Sequence, residues 1–309
     1  LSLHDALPIY TTGGNNTAVG AGALQLHKYG NFNVAVGTSA LLNDTSGIRN
    51  VAIGNESSSL NRLGFDNVSV GAYALQLNAT GKKNIAIGSY SLNGSDADSL
   101  NIAIGDSAGY TNNSSLNMFI GASSGKLHSA GTANLFIGAY SGYNQTVAAG
   151  NILIGHYAGH RIVNASNNIA LGNNALYNYS NTNLNVYRNN IAIGNDALLN
   201  TNATNSTNAL NNLALGHSTG LNNTTGSEIT ILGNDAEVGS NNLTNAAAIG
   251  SKAQVNTSDA MVLGSINGIN GATSTVKVGV GTALPVNRLD DSGSIGMAIR
   301  TITVASTSN

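Results

Sequence analysis

Three stretches of this chain match the G-x-S-x-G expression of a hydrolase nucleophile elbow: Gly105-Asp106-Ser107-Ala108-Gly109, Gly121-Ala122-Ser123-Ser124-Gly125 and Gly216-His217-Ser218-Thr219-Gly220. Taken alone, the last would suggest an esterase, with Ser218 as the nucleophile. An elbow, however, needs a sharp turn from strand into helix, and it is needed once. Here the expression recurs at one register of a sequence repeat, so the repeat accounts for it without catalysis. The 6 histidines and 14 acidic residues form no H-E-x-x-H pair and no Asp-rich calcium nonapeptide. His156 and His217 share a repeat position but lie three units apart, roughly 14 Å at one strand spacing per unit, too far for one ion. They are expected to be exposed. The run from Gly121 to Lys126 has the wrong spacing for a phosphate loop and is followed by Leu127 where Ser or Thr is required. No cysteine is present to build a disulfide or a thiolate site. No catalytic, cofactor-binding or metal-ligating residue is therefore assigned, and the chain reads as non-enzymatic.

What must position any functional residue is the repeat. Between Asn16 and Gly216 the phrase Asn, apolar, usually Ala, Val/Ile/Leu, Gly occurs twelve times. Gly20, Gly37, Gly54, Gly71, Gly88 and Gly105 are 17 residues apart; one step of 16 reaches Gly121, and steps of 17 continue through Gly138, Gly155 and Gly172. Two steps of 22 lead to Gly194 and Gly216, then 17 returns at Gly233 and Gly250 before a step of 14 to Gly264. A fixed period held over many copies marks a solenoid whose units pack only against their neighbours. Sixteen or so units up to Gly279, each advancing about 4.8 Å, would build a rod on the order of 75 Å long.

Each phrase reads as a short strand. Val34 and Val36, Val51 and Ile53, or Ile85 and Ile87 lie two apart and share one face, while Ala35, Ala52 or Ala86 lies on the other, with larger residues at Phe119, Phe136 and Leu153. Neither face is polar, so both need cover. One can close on the second half of its own coil, where Ala40, Ala74, Ser91 or Ala158 is followed by Leu or Gly. The other implies self-association of identical solenoids about a cyclic axis. The sequence leaves open which face does which. The phrase glycines Gly37, Gly54, Gly71, Gly88, Gly105, Gly138, Gly155 and Gly172 are expected at a corner that needs positive φ or close backbone approach. Asn33, Asn50, Asn67, Asn84, Asn101, Asn134, Asn151 and Asn168 fit the preceding corner, bonding local backbone or stacking as a ladder. Polar segments such as Asn78 to Lys83 and Asn222 to Ser227 are expected as surface loops.

Charged residues make up only 8% of the chain against about 25% in ordinary soluble domains, and the net charge is −2. Nucleic acid and anionic membrane surfaces are thereby disfavoured as partners. No apolar run is long enough to span a bilayer, so no membrane contact is expected of this segment. The two long steps add loops from Tyr177 to Asn190 and from Leu199 to Asn212, expected as a paired protrusion. The first carries Tyr177, Tyr179, Tyr187 and Arg188, residue types favoured at binding hot spots and thus candidate ligand contacts.

Asn84, Ile85, Ala86, Ile87 and Gly88, with their counterparts from about Asn15 to Gly264, resemble the head repeat of YadA-type trimeric autotransporter adhesins. The resemblance implies a left-handed parallel β-roll, a homotrimer, and exposure on a bacterial surface where the head binds an extracellular protein or glycan. That family's repeat is shorter, near the 14-residue step to Gly264, so longer outer loops are expected here. Beyond Gly271, Val276, Lys277, Val278, Gly279 and the following Pro285, Arg288, Leu289 and Asp290 resemble the junction before the C-terminal assembly domain of bacteriophage tail-fibre-like proteins. That implies an alternative place on a virion, as a shaft for a receptor-binding or chaperone domain. Residues 1–9 read as the translation of a sequencing adaptor, 10–271 as the β-roll, and 272–309 as a junction with the start of a truncated β segment.

Overall fold

The structure, a computed structural model, describes residues 12–94, 96, 98–178, 186–187, 189–201 and 209–291. Among them it is an all-β parallel solenoid of about 17-residue coils with no helix. Fifteen strands, from Thr17–Val19 through Val34–Val36 and Val51–Ile53 to Ala260–Leu263, form one parallel sheet. Phrase pairs with phrase in strict register, Ile85 with Ile102 and Ile87 with Ile104 for example. The 22-residue steps leave that register intact, because Ile169 pairs with Ile191 and Ile191 with Leu213.

The register decides which strand face is inside. Ala35, Ala52, Ala86, Ala103, Phe119, Phe136, Leu153, Ala170 and Ala192 are all 0% exposed, whereas the flanking Val, Ile and Leu side chains are half-buried or exposed. A strand alternates its side chains, so the small-residue face closes the coil and the β-branched face looks outward. The opposite wall is made by the third and fourth residues after each phrase glycine, such as Ala40 with Leu41 and Ala74 with Leu75, again fully buried.

Corner geometry explains the repeat glycines. From Gly20 to Gly250 they hold φ between +122° and +143°, a region L side chains rarely adopt. A Cβ on Gly88 would also stand 2.5 Å from the carbonyl of Gly105 in the next coil. The stack ends earlier than the sixteen units expected. Gly264 has φ +82° and is crowded by Val276, so the chain leaves the coil path after Ala260–Leu263. Gly279 instead lies in Val278–Val280, which pairs in parallel with Leu289–Asp291 as a separate two-stranded sheet.

Candidate functional site

Two outward faces and two inward polar columns carry the side chains that packing alone does not explain. The first face is the pair of apolar columns on the sheet. Ile87 and Ile104 are each 38% exposed, and Val19, Ile53, Leu215, Met261 and Leu263 are more so. With neighbours such as Val34, Val68, Ile85 and Ile102 half-buried, these residues make a continuous apolar band along fifteen strands. Scattered exposed apolar residues are ordinary, but a band of this extent marks an interaction surface.

The second face lies past the corner. Tyr73, Tyr90, Tyr140 and Tyr157 each stand two residues after a phrase glycine, at left-handed φ of 57° to 60°. Tyr73 and Tyr90 stack at 4.9 Å between ring centroids, and Tyr140 and Tyr157 at 5.2 Å. Three residues further along each coil, Tyr143, His160 and Tyr177 form a second stack, with spacings of 5.3 and 5.2 Å. These spacings repeat that of the strands beneath. Of the four tyrosine-loop residues singled out in the sequence, Tyr177 joins this column; Tyr187 lies in Val186–Tyr187, paired with Ala165–Ser166, and Tyr179 and Arg188 lie outside the described residues. The other tyrosines were missed as a set. Their shared offset from the repeat glycine was the available signal.

The first inward column is the asparagine corner. Each Asn side-chain oxygen accepts from the backbone N–H of the next Asn, from Asn16 and Asn33 at 2.8 Å to Asn190 and Asn212 at 3.0 Å. Asn50, Asn67, Asn84, Asn101, Asn117, Asn134, Asn151 and Asn168 continue the ladder without a break to Asn190. The Asn33, Asn50 and Asn67 amides also donate to the carbonyls of Gly47, Gly64 and Gly81 at 2.8 Å. Buried backbone groups at this corner thus find partners that a regular sheet would not supply.

The second inward column corrects an expectation. The polar segments after each coil wall are not wholly surface loops: Asn78 and Asn223 are 0% exposed, in line with His27, Asp44, Asn61, Asn112, His128, Gln145 and Thr201. His27 Nδ1 lies 2.8 Å from Asp44 Oδ2, and Asn61 Nδ2 donates to Asp44 Oδ1 at 2.7 Å. Burial alone would lower the His27 pKa, but its hydrogen bonds to Asp44 and the Gly30 carbonyl leave it raised. His128 has no carboxylate beside it. Packed against Phe119 and Phe136, it is pushed by burial down to about 4 and is neutral, despite a hydrogen bond with the Gly131 carbonyl.

Elsewhere, Glu237 is buried and accepts backbone N–H bonds from Asn222 at 3.0 Å and Val238 at 3.1 Å. Desolvation lifts its carboxyl to about 7 although these bonds oppose the shift. It lines an open cavity of about 350 Å³ with Ser218, Asp235, Lys252 and Asn270. Ser107, Ser123 and Ser218, the serines of the elbow-like stretches, occupy the same left-handed position as the stacked tyrosines. None lies on a strand-to-helix turn. His217 is exposed, with Nδ1 3.9 Å from Asp235 Oδ1, and His156 is exposed and tilted against Tyr157. Among the described residues no group of three or more His, Asp or Glu side chains could hold a metal ion. In comparisons with known proteins, no family model and no curated protein matches this chain.

Proposed function

We propose that this chain is a segment of a homotrimeric fibrous surface protein, a left-handed β-roll of the YadA head type that mediates attachment on a bacterial surface and has no catalytic activity. The observation that carries the proposal is the outward apolar band. A face of isoleucine, valine and leucine along fifteen strands loses hydrophobic stabilisation if left in water, and a cyclic arrangement buries equivalent bands against one another. Three copies follow from the resemblance of the repeat phrase. The binding surfaces then face away from the axis on a rigid shaft.

The test is the solution mass. The 31.2 kDa chain is expected to sediment at three times its mass, and Ile87→Asp with Ile104→Asp to lower that mass while leaving the far-UV circular dichroism unchanged. Both side chains look out of the coil, so the charges stay hydrated in a free chain and are desolvated only in the assembly. A wild-type monomer at micromolar concentration would sink the trimer. Ester hydrolysis that disappears in Ser218→Ala would sink the non-enzymatic reading.

A second reading, a shaft in a bacteriophage tail-fibre-like protein, draws on the C-terminal departure from the coil. Around the Val278–Val280 and Leu289–Asp291 sheet, Leu284 is 85% and Val286 73% exposed, which suits a junction packed by other chains. A self-cleaving chaperone encoded beyond Asn309 would favour it; a coiled-coil stalk and membrane barrel would favour the adhesin.

A further inference from the structure

Building on the attachment reading, we propose that the stacked aromatic face is a binding track for an extended neutral polysaccharide lying along the solenoid axis, one sugar ring per coil. The first argument is commensurability. Ring spacings of 4.9 to 5.3 Å in the two stacks are set by the coil rise, and they are close to the length of one pyranose unit in an extended chain. Over the coils of Tyr140, Tyr157 and Tyr177 a linear polymer with that repeat meets an aromatic ring at each step, whereas Ser107 and Ser123 separate these coils from the Tyr73 and Tyr90 pair. A globular protein surface without a solenoid or exposed sheet of matching rise has no corresponding repeat.

The second argument is the state of the hydroxyls. All six tyrosines of the stacks are part-exposed, and the hydroxyls of Tyr73, Tyr90, Tyr140, Tyr143, Tyr157 and Tyr177 make no hydrogen bond within the described residues. Each stack is therefore a row of donor and acceptor groups on an apolar support. Sugars present the same combination, C–H surfaces flanked by hydroxyls. Tyrosine supplies large, stiff contact area at low entropic cost.

The charge balance favours a neutral ligand. From Tyr140 to Tyr177 the sequence carries no Asp, Glu or Lys and one Arg, Arg161, with Lys126 one coil before Tyr143 at the same repeat position, and burial and then the neighbouring Arg161 and His156 hold His160 below its ordinary pKa. The track also lies past the corner glycine from the outward apolar band, so assembly through that band leaves it free.

Calorimetric titration with cellohexaose and chitohexaose, extended β-linked probes, and with maltohexaose, whose chain curls, tests the proposal. The expected result is binding of at least one extended hexasaccharide, weakened about tenfold or more in Tyr140→Ala with Tyr157→Ala, and unchanged in Tyr29→Ala, an exposed tyrosine outside the stacks. Tyr140→Phe with Tyr157→Phe preserves the stack and removes only hydroxyls; it is expected to weaken binding without altering the melting temperature. No binding of either extended probe, equal binding of maltohexaose, or undiminished binding by the Phe variant would overturn the track. Solution mass in the same preparation separates the two readings: a trimer that binds no sugar removes the track alone, and a monomer that binds removes the trimer alone.

Discussion

Burial favours the neutral form of both His128 and Glu237, and because one is a base and the other an acid they pull stability in opposite directions as the pH changes. The folded chain keeps His128 neutral down to about pH 4, whereas an unfolded histidine takes up its proton near 6.5. Stability from this group is present in full above 6.5 and is lost as the pH falls from 6.5 through 4, by about 3 kcal/mol across the window. Glu237 behaves conversely. Unfolded it releases its proton near 4.5, but folded it holds it to about 7, so stability declines as the pH rises between those values, again by about 3 kcal/mol. The two windows overlap between pH 4.5 and 6.5, where the opposing slopes cancel, so together these groups leave a flat maximum centred near about pH 5.5. Urea titrations from pH 4 to 8 should show Glu237→Gln exposing a stability that rises from pH 4 to 6.5 and His128→Asn exposing one that falls from pH 4.5 to 7. A slope that survives both substitutions would assign the titration to other groups.

In several coils the inward residue of the strand and the fourth residue after the phrase glycine share volume, whereas at Ala103 with Gly109 and Ala214 with Gly220 the space is filled from the next coil by Phe119 and Ile231. Where the strand offers Ala35, Ala86, Ala170 or Ala192, the partner is Leu41, Leu92, Leu176 or Leu198; where it offers Phe119, Phe136 or Leu153, the partner is Gly125, Gly142 or Gly159. A Cβ on Gly159 would meet Leu153 Cδ1 at 2.7 Å, and one on Gly142 would meet Phe136 Cδ2 at 2.6 Å. Leu153→Ala alone is expected to cost about 2–5 kcal/mol by opening a cavity. Gly159→Leu alone is overpacked, and the double variant rebuilds the alanine and leucine pair of the coil at Ala170. Denaturant melts of the cycle should give a favourable coupling of at least about 1 kcal/mol; strict additivity would contradict shared volume. This reciprocity was present in the sequence as an unexplained run of large residues beside glycines. Strand, register and corner glycine were legible there because their period is written in every unit. The inward face was not, since alternation in Val34-Ala35-Val36 names two faces without saying which is closed, and Asn78 read as loop because its buried role depends on the coils above and below.

At the scale of the whole stack, stability is a chain of neighbour contacts, so one poor contact can divide the molecule. The apolar interior breaks near its N-terminal end: one cluster holds Ala23, Leu24, Ala35, Ala40, Leu41 and Ala52, and the long central cluster begins only at Ala74 and Leu75. Between them the repeat places Ser57 and Ser58 where other coils have Ala40 and Leu41, and Ser69 where others have alanine. Their hydroxyls bond one another, Ser57 Oγ to Ser69 Oγ at 2.7 Å and Ser58 Oγ to Ser69 Oγ at 2.8 Å. The group is satisfied but contributes little apolar burial, so the backbone ladder carries most of this junction. The coils N-terminal to it are therefore expected to open at lower free energy than those from Val68 onward. Native-state hydrogen exchange resolved by coil should show that step in protection. Ser58→Leu with Ser69→Ala restores the usual alanine and leucine pair in two successive coils, opposite Ala52 and Leu75, continues the apolar core across the junction, and should raise the protection of the N-terminal coils by about 2 kcal/mol while leaving the central coils unchanged. Uniform protection across the wild-type junction, or an equal rise in all coils, would show that the serine cluster does not divide the stack.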